Sequence, residues 1–437
     1  MPPLISWSEL ADATVGLWGL GVEGAASFRR LMALGTTPVL VEDAPRSATF
    51  EGCDVLPTAE GGLAALCRCD VVIKSPGISR YRSEVEMILA AGALVRSGLG
   101  LWLEEADRHR VACITGTKGK STTTALATHL LESLGYRARA GGNIGQPPWD
   151  PALADDGGYW IIETSSFQVP DITTAPPVVV VTSLFPDHLD WHGSEERYYA
   201  DKLSLCTKPG VRTVLAPDAD AVLHAHAGAM GPRIRWVRGE DHTSINTNAL
   251  LGPHNARNAA LARALLVEMG IAEATDDDAV AAAVHAFHGL PSRCRSLGSV
   301  GGVEFVDDSL STNVLPAQAA LAAFADRRVA LLVGGHDRGL DYSPLAGTIA
   351  RRPRPTLVVT MPDNGPRIGA AVRSAGGATE VVDAADLADA VDRAFAWARP
   401  DGVVLLSPAA PSFGRFSNYG ERARAFAAAA ARYGPLR

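Results

Sequence analysis

The run Thr115-Gly116-Thr117-Lys118-Gly119-Lys120-Ser121-Thr122 constrains this chain more than any other stretch. It follows an apolar strand candidate, Val111-Ala112-Cys113-Ile114, and leads into a helical pattern from Thr123 to Leu131. A strand, a loop of small residues, Gly-Lys-Ser and then a helix is the layout that cradles nucleotide phosphates. Backbone N–H groups and the helix N-terminus face the anion. Lys120 supplies a point charge, and the Ser121 hydroxyl can reach Mg²⁺. Ile114 stands where the usual pattern has its first glycine, so the loop is a variant. The competing reading is a solvated turn, and the flanking strand and helix weigh against it.

A chain of 437 residues has room for about three domains, each able to bury a core. With 47% hydrophobic and 20% charged residues the composition is that of a globular protein. A net charge of −8 and the lack of a Lys/Arg-rich stripe argue against a nucleic-acid surface. No apolar run reaches the roughly 18 residues of a membrane span, so no stable membrane association is expected. The start, Met1-Pro2-Pro3-Leu4-Ile5-Ser6, lacks the basic and apolar segments of a secretory leader. The six cysteines are scattered without a Cys-x-x-Cys, which fits reduced thiols in a cytoplasmic protein better than a zinc site.

Three α/β segments follow one another. The first opens with Gly19-Leu20-Gly21-Val22-Glu23-Gly24 between a strand candidate and a helix. A second strand, Pro38 to Val41, ends at Glu42-Asp43, about 20 residues beyond the glycines, as in a dinucleotide-binding βαβ unit. A third, Asp70 to Ile73, leads to Lys74-Ser75-Pro76-Gly77-Ile78. The bland alternative is a turn whose glycines only allow tight packing. The second segment begins near Arg110 and adds strand candidates at Trp160 to Glu163 and Val178 to Thr182. The third begins near Ser296, with strands at Val329 to Val333, Thr356 to Val359 and Gly402 to Leu406 and a closing helix from Glu421 to Tyr433. Alternating strands and helices imply parallel sheets. The expected domains are residues 1–108, 109–295 and 296–437.

Several strand-end residues look chemical, because ligands bind at the carboxyl ends of strands in such sheets. Glu163 can serve as a Mg²⁺ ligand beside Ser121, or merely as a helix N-terminal acid. Asp187-His188-Leu189-Asp190-Trp191-His192 clusters acids and histidines, which suits ligands or acid/base groups as well as ordinary capping. His254, Asn255 and Asn258 open an apolar-periodic helix after Gly252 and read as caps. Lys202, on composition alone, is a helical surface lysine. Asp307-Asp308-Ser309, Gly334-Gly335-His336-Asp337-Arg338 and Ser407 to Ser412 all follow strands and are expected to converge on one pocket.

Taken in order, the phosphate loop, Gly141-Gly142-Asn143-Ile144-Gly145, Glu163 to Gln168, Asp187 to Asp190, Lys202, His254 to Asn258 and Asp308-Ser309 resemble the Mur ligase family over essentially the whole chain. Ser75-Pro76-Gly77-Ile78 and Leu406-Ser407-Pro408-Ala409, with Phe416 and Asn418, resemble its branch that adds glutamate to UDP-N-acetylmuramoyl-L-alanine. The resemblance implies three domains: a Rossmann-like UDP-substrate domain, a central ATPase domain and a Rossmann-like glutamate domain. It implies that Gly116, Thr117, Lys118, Gly119, Lys120, Ser121 and Thr122, with Asn258, Arg293 and Asp308, bind ATP. Gly21, Val22, Glu23, Ser75, Asn143 and His188 would hold the UDP substrate. Thr312, Arg338, Ser412 and Tyr419 would meet the glutamate. Ser121 and Glu163 would hold one Mg²⁺, and His188 and Lys202 a second, with Lys202 carried as a carbamate formed with CO₂. Lys120, His188 and Lys202 would be catalytic, and the route would run through an acyl phosphate.

The chain departs from that branch at Leu310 and Arg338, where lysines are usual, and at Ser292, where histidine is frequent. Arginine is not neutral for lysine at a carboxylate contact, because its planar fork imposes another geometry. These changes gather in the glutamate domain and resemble a sister group that adds L-glutamate, with a separate epimerase acting on the product. D-glutamate remains the alternative. A folate polyglutamylase would lack the first domain, an NAD-dependent oxidoreductase would leave the Gly-Lys-Ser loop unexplained, and an inactive scaffold would not need Lys120, Glu163, His188 and Lys202.

Overall fold

Valine- and isoleucine-rich runs that carry no polar alternation fold as parallel strands covered on both faces. The structure, a computed structural model, describes residues 5–153, 157–238, 253–287, 289–377 and 379–436. Gly252, Met1 to Leu4 and the Asp190 side chain lie outside the described residues. The rest fall into two compact units. One holds the first two sheets together with Arg257–Val284, and the other is built on the third sheet.

The first sheet contains β1 (Val15–Trp18), β2 (Val39–Glu42), β3 (Thr49–Phe50), β4 (Cys53–Pro57), β5 (Val71–Lys74) and β6 (Leu94–Arg96), in the order β3-β4-β2-β1-β5-β6. All its ladders are parallel except the short β3/β4 pair. The glycine turn after β1 is shaped by a close approach. Gly19 has φ +94°, and a β-carbon on Gly24 would sit 2.0 Å from the Gly19 carbonyl oxygen.

The second sheet is wholly parallel, with β7 (Val111–Thr115), β8 (Ala138–Gly142), β9 (Tyr159–Glu163), β10 (Val178–Val181), β11 (Thr213–Pro217) and β12 (Ile234–Val237) in the order β12-β11-β10-β7-β9-β8. Its core is continuous with that of the first sheet. Trp7, Leu99, Leu103, Trp149, Val169 and Ile172 join one apolar cluster. Polar links cross the same boundary. Lys74 Nζ meets Asp171 Oδ2 at 2.8 Å with both side chains buried, and it donates to the Ile78 carbonyl at 2.7 Å.

The third sheet has β13 (Arg295–Val300), β14 (Val303–Asp307), β15 (Val329–Val333), β16 (Thr356–Thr360), β17 (Glu380–Asp383) and β18 (Val403–Leu406), in the order β13-β14-β18-β15-β16-β17. Here, as at β3/β4 of the first sheet, the expectation of purely parallel pairing fails at one edge. β13 and β14 form an antiparallel hairpin across Gly301 and Gly302, whose φ values of 57° and 82° give the tight turn. The helix after the phosphate loop runs Lys120–Ser133 and the closing helix Tyr419–Ala431, each close to its expected span.

A buried ion pair contributes little against an apolar replacement, yet losing one partner strands a charge. Asp171→Ala should therefore cost about 3–5 kcal/mol in urea unfolding, whereas Lys74→Met combined with Asp171→Leu should recover most of that loss. Equal loss in both variants would show that the pair is not what the Asp171→Ala change disturbs.

Candidate functional site

The second sheet brings four strand ends to one edge. In register, Ile114 on β7 lies beside Glu163 on β9, Thr115 lies beside Val181 on β10, and Gly142 on β8 lies beside Glu163. The phosphate loop, Asn143, Glu163 and the segment Thr182 to His188 therefore leave the sheet together. Tight packing shapes the loop. Gly116 has φ +136°, and a β-carbon there would fall 2.1 Å from Thr182 Oγ1. Gly119 has φ +92° and approaches Asn258, since its β-carbon would lie 2.7 Å from that side chain's Oδ1. Thr117 Oγ1 donates to the Phe185 carbonyl at 3.0 Å and lies 2.9 Å from the Tyr198 hydroxyl.

Lys120 Nζ folds over the loop and donates to the Thr117 carbonyl at 3.2 Å. Lys118 Nζ reaches Asp187 Oδ2 at 3.1 Å. Ser121 is buried at the start of the helix, and Thr122 is half-buried beside it. Glu163 is buried where β9 ends. The next helical turn, Val169–Asp171, starts six residues later behind Gln168, so the helix-capping explanation falls away. Asn143 Nδ2 donates to Glu163 Oε1 at 2.8 Å, while Glu163 Oε2 is buried without a hydrogen-bond partner. An orphaned carboxylate oxygen beside a phosphate loop suits a hard cation. Among the described residues no three His, Cys, Asp or Glu side chains form a metal site. A Mg²⁺ there would take most of its ligands from phosphate oxygens and water, as that ion commonly does.

Lys202 is not a surface lysine. It is buried on the helix Glu195–Leu203, donates to the Gly116 carbonyl at 2.8 Å and lies over the Tyr198 ring. Burial, and next the charge of Lys120, push its amine well below the ordinary lysine range, with Glu163 and Asp187 acting in the opposite sense. His188 takes a left-handed conformation, φ 52°, and packs edge-on to Phe167 at 4.9 Å. Partial burial, with Lys118, Lys120 and Lys202 nearby and against the pull of Asp187, lowers its imidazole from the usual value. These shared influences place Lys120, Glu163, His188 and Lys202 in one electrostatic neighbourhood.

The glycine turn of the first sheet faces two ways. Gly21 and Val22 are exposed, and Ser75 Oγ donates to the Gly19 carbonyl at 2.8 Å. Glu23 instead turns inward and accepts from Gln168 Nε2 at 2.6 Å, and burial raises its carboxyl to about 7. The acid at the end of β2 accepts from the turn itself, since Leu20 N–H donates to Glu42 Oε2 at 2.7 Å. In a dinucleotide site the corresponding acid faces a ribose hydroxyl. The helix after Gly252 runs Pro253–Glu268, so Asn255 and Asn258 lie inside its first turns and are not caps.

In the third sheet the three loops are hydrogen-bonded to one another, but only two of them reach a common cleft. Gly334 N–H donates to the Pro408 carbonyl at 2.9 Å, and His336 N–H to Pro411 at 3.0 Å. Ser407 Oγ donates to Asp308 Oδ2 at 2.6 Å. The glycine loop and the loop after β18 border a cleft of about 210 Å³ through Gly334, Gly335 and Ser412, and Asp307-Asp308-Ser309 is not in its lining. Arg338 is exposed on the glycine loop, Tyr419 is exposed at the start of the closing helix, and Thr312 and Arg293 are half-buried outside the cleft lining. Two arginines that the sequence did not single out do line it, Arg415 and Arg422. Arg422 is buried and ties two loops together by donating to the Ser309 and Ala410 carbonyls at 2.7 and 3.1 Å. The available signal was an arginine on the apolar face of the closing helix.

A Gly-Lys-Ser phosphate loop on one parallel sheet, an acid with an unpartnered oxygen beside it, and a second α/β unit with its own cleft are the layout of a nucleotide-binding α/β protein. Residues 114–233 match the Mur ligase middle domain, and residues 292–410 match the Mur ligase glutamate ligase domain. The chain is 42% identical to the UDP-N-acetylmuramoyl-L-alanine--L-glutamate ligase of Xanthomonas euvesicatoria, covering 96% of this chain and 95% of that protein. A protein of the same name from a Micromonospora species is 39% identical, with 97% of both covered. The crystal structure of MurF ligase from Thermotoga maritima in complex with ADP shares the fold, with a TM-score of 0.59 and 12% identity over 96% of this chain and 94% of that one. The chain belongs to the Mur ligase family.

Asp308 generates a pH dependence. Its carboxyl is buried and raised to about 7, burial outweighing the bonds from Ser407 and the Cys294 N–H. An unfolded aspartate titrates near 3.9, so the folded state holds the proton more tightly. That stabilisation is complete below about pH 4 and is lost as pH rises toward 7. Asp308→Asn should stabilise the chain by on the order of 3 kcal/mol at pH 8, and the difference should vanish near pH 4, in denaturant titrations at each pH. A gain that is the same at both pH values would contradict this assignment.

Proposed function

We propose that this chain joins L-glutamate to the alanyl carboxylate of UDP-N-acetylmuramoyl-L-alanine, converting ATP to ADP and phosphate, as a cytoplasmic step of peptidoglycan precursor synthesis. The observation that carries the reading is the strand-end cluster of the second sheet, where the phosphate loop, Glu163, His188 and buried Lys202 share one edge. The two full-length relatives support the substrates. Arg338 and Leu310, both in the glutamate domain, support the L enantiomer over D.

In this reading the loop amides and Lys120 hold the ATP phosphates, with Asn258 beside the loop, and Arg293 and Asp308 complete the nucleotide contacts. Gly21, Val22 and Ser75 receive the UDP end, while Glu23 acts from behind the turn. Asn143 and His188 meet the muramoyl portion. Thr312, Arg338, Ser412 and Tyr419 receive glutamate. A carboxylate oxygen of the acceptor attacks the γ-phosphorus, and the bond to the ADP oxygen breaks. The glutamate amine then attacks the acyl phosphate carbon, the tetrahedral intermediate expels phosphate, and the nitrogen gives up a proton. Catalysis of phosphoryl transfer is mainly positioning and charge neutralisation, so Lys120 stabilises charge on the transferring group.

Ser121 and Glu163 would hold one Mg²⁺, and His188 and Lys202 a second. Bound Mg²⁺ supplies positive charge against the phosphate oxygens. Lys202 suits its place as a carbamate. A depressed amine is a free nucleophile that adds to CO₂ and loses a proton, which replaces an ammonium with two oxygen donors. With L-glutamate incorporated, a separate epimerase would invert that centre in the product.

Purified enzyme given ATP, Mg²⁺, the muramoyl acceptor and each glutamate enantiomer should release ADP faster with L-glutamate. Lys202→Ala should lower turnover by about a hundredfold or more. Preference for D-glutamate would make this the ordinary branch of the family. Full activity in Lys202→Ala would remove the carbamate.

A further inference from the structure

Behind the reaction edge lies a buried chain of hydrogen bonds that the mechanism above does not use. Ser166 Oγ lies 3.0 Å from His192 Nε2, and His192 Nδ1 lies 2.6 Å from Asp201 Oδ2. The second oxygen of Asp201 accepts from the Tyr81 hydroxyl at 2.6 Å. Ser166, His192 and Asp201 are all buried, and Asp201 also keeps the Tyr81 phenol protonated, since burial and this bond raise it above its ordinary value. With the Nδ1 proton facing the carboxylate, Nε2 accepts from the serine, so a neutral imidazole satisfies both ends.

The order serine, histidine, aspartate is that of a hydrolytic triad. Two facts argue against nucleophilic chemistry here. Ser166 is only 3% exposed, and its loop is folded against the His192 ring. What the chain joins is more telling. Ser166 is three residues beyond Glu163, in the loop that leaves β9. Asp201 directly precedes Lys202 on its helix. His192 ends the short helix Leu189–His192 that begins after His188. Tyr81 belongs to the first domain, in the loop after Ser75-Pro76-Gly77-Ile78. Rings pack along the same path, edge-on or tilted, with Phe167 4.9 Å from both His188 and Trp191, and Trp191 5.9 Å from Tyr81.

We propose that Tyr81, Asp201, His192 and Ser166 act as one set of positioning residues that fixes Glu163, His188 and Lys202 against one another and registers them to the substrate held by the first domain. Buried polar chains with every member satisfied are rigid, and cutting one link strands a buried polar group beside the cut. A helix one residue out of rotation would swing Lys202 away from the Gly116 carbonyl, and small misplacements are expensive in catalysis. The inference rests on the ligase reading above.

The test uses the two ends, Tyr81→Phe and Ser166→Ala, each of which deletes one oxygen from residues that do not bond to each other. In resting enzyme, proton NMR should show a far-downfield imidazole N–H from the His192–Asp201 bond. It should vanish in Asp201→Asn and move in both end variants. In steady-state assays Asp201→Asn should lower kcat by about 10–100-fold while the KM for ATP stays within about twofold. The end variants should be non-additive in kcat by about threefold or more, unlike independent sites. Additive effects on kcat, or a resonance in Ser166→Ala and Tyr81→Phe identical to wild type, would overturn the proposal. Wild-type enzyme that shows the coupled resonance but never turns over would overturn the ligase reading and leave the hydrogen-bonded chain standing.

Discussion

The ammonium nitrogen of Lys202 sits 2.8 Å from the Gly116 carbonyl in the interior, and much of the second sheet's design follows from that placement. A lone charge in such a place is costly, so the group drifts toward the neutral amine. Its helix must then be held from behind, because a neutral amine provides no strong ionic anchor. Tyr198 packs under it, and Asp201 anchors the preceding position to His192. The phosphate loop is fixed from the other side by the close approach of Gly116 to Thr182 and of Gly119 to Asn258. The result is an edge where a cationic loop, a half-satisfied carboxylate and a deprotonatable amine meet.

The third sheet solves a different problem with the same means. Its glycine loop hydrogen-bonds to the loop after β18, and Arg422 clamps the Asp308 and Ala410 segments from inside. Burial pulls that guanidinium down to about 10, still protonated at neutral pH, and its Nε has no hydrogen-bond partner. A buried cation at the floor of a cleft suits an anionic amino acid, and the proposed glutamate substrate carries two carboxylates. In the proposed reading the two α/β units divide the chemistry, one serving phosphate and the other carboxylate.

Much of this was legible in the sequence, for identifiable reasons. Doubly covered strands are uninterrupted apolar runs, so β7, β10, β15 and β18 could be read nearly residue by residue. The Gly-Lys-Ser loop is visible because its function demands consecutive residue types. The hairpin at β13 was missed although Val300-Gly301-Gly302-Val303 is a recognisable turn signal. The buried state of Lys202 could not be read, because the helix pattern around it, Tyr198-Tyr199-Ala200-Asp201-Lys202, is polar enough for a surface. Only the resemblance to a family marked it. The link from Ser166 to His192 to Asp201 was equally hidden, since 26 and 9 residues separate its members and only the fold brings them into contact. Arg415 and Arg422 escaped for the same reason.

The strand-end cluster is proposed to activate a carboxylate by phosphorylating it. The most direct measurement starts from muramoyl acceptor labelled with ¹⁸O in its alanyl carboxylate and follows the label by mass spectrometry of the released phosphate. Transfer of one labelled oxygen to phosphate in each turnover is the predicted result, because the acceptor oxygen becomes the bridge of the acyl phosphate and leaves with it. Phosphate free of label, with amide still formed, would contradict the account.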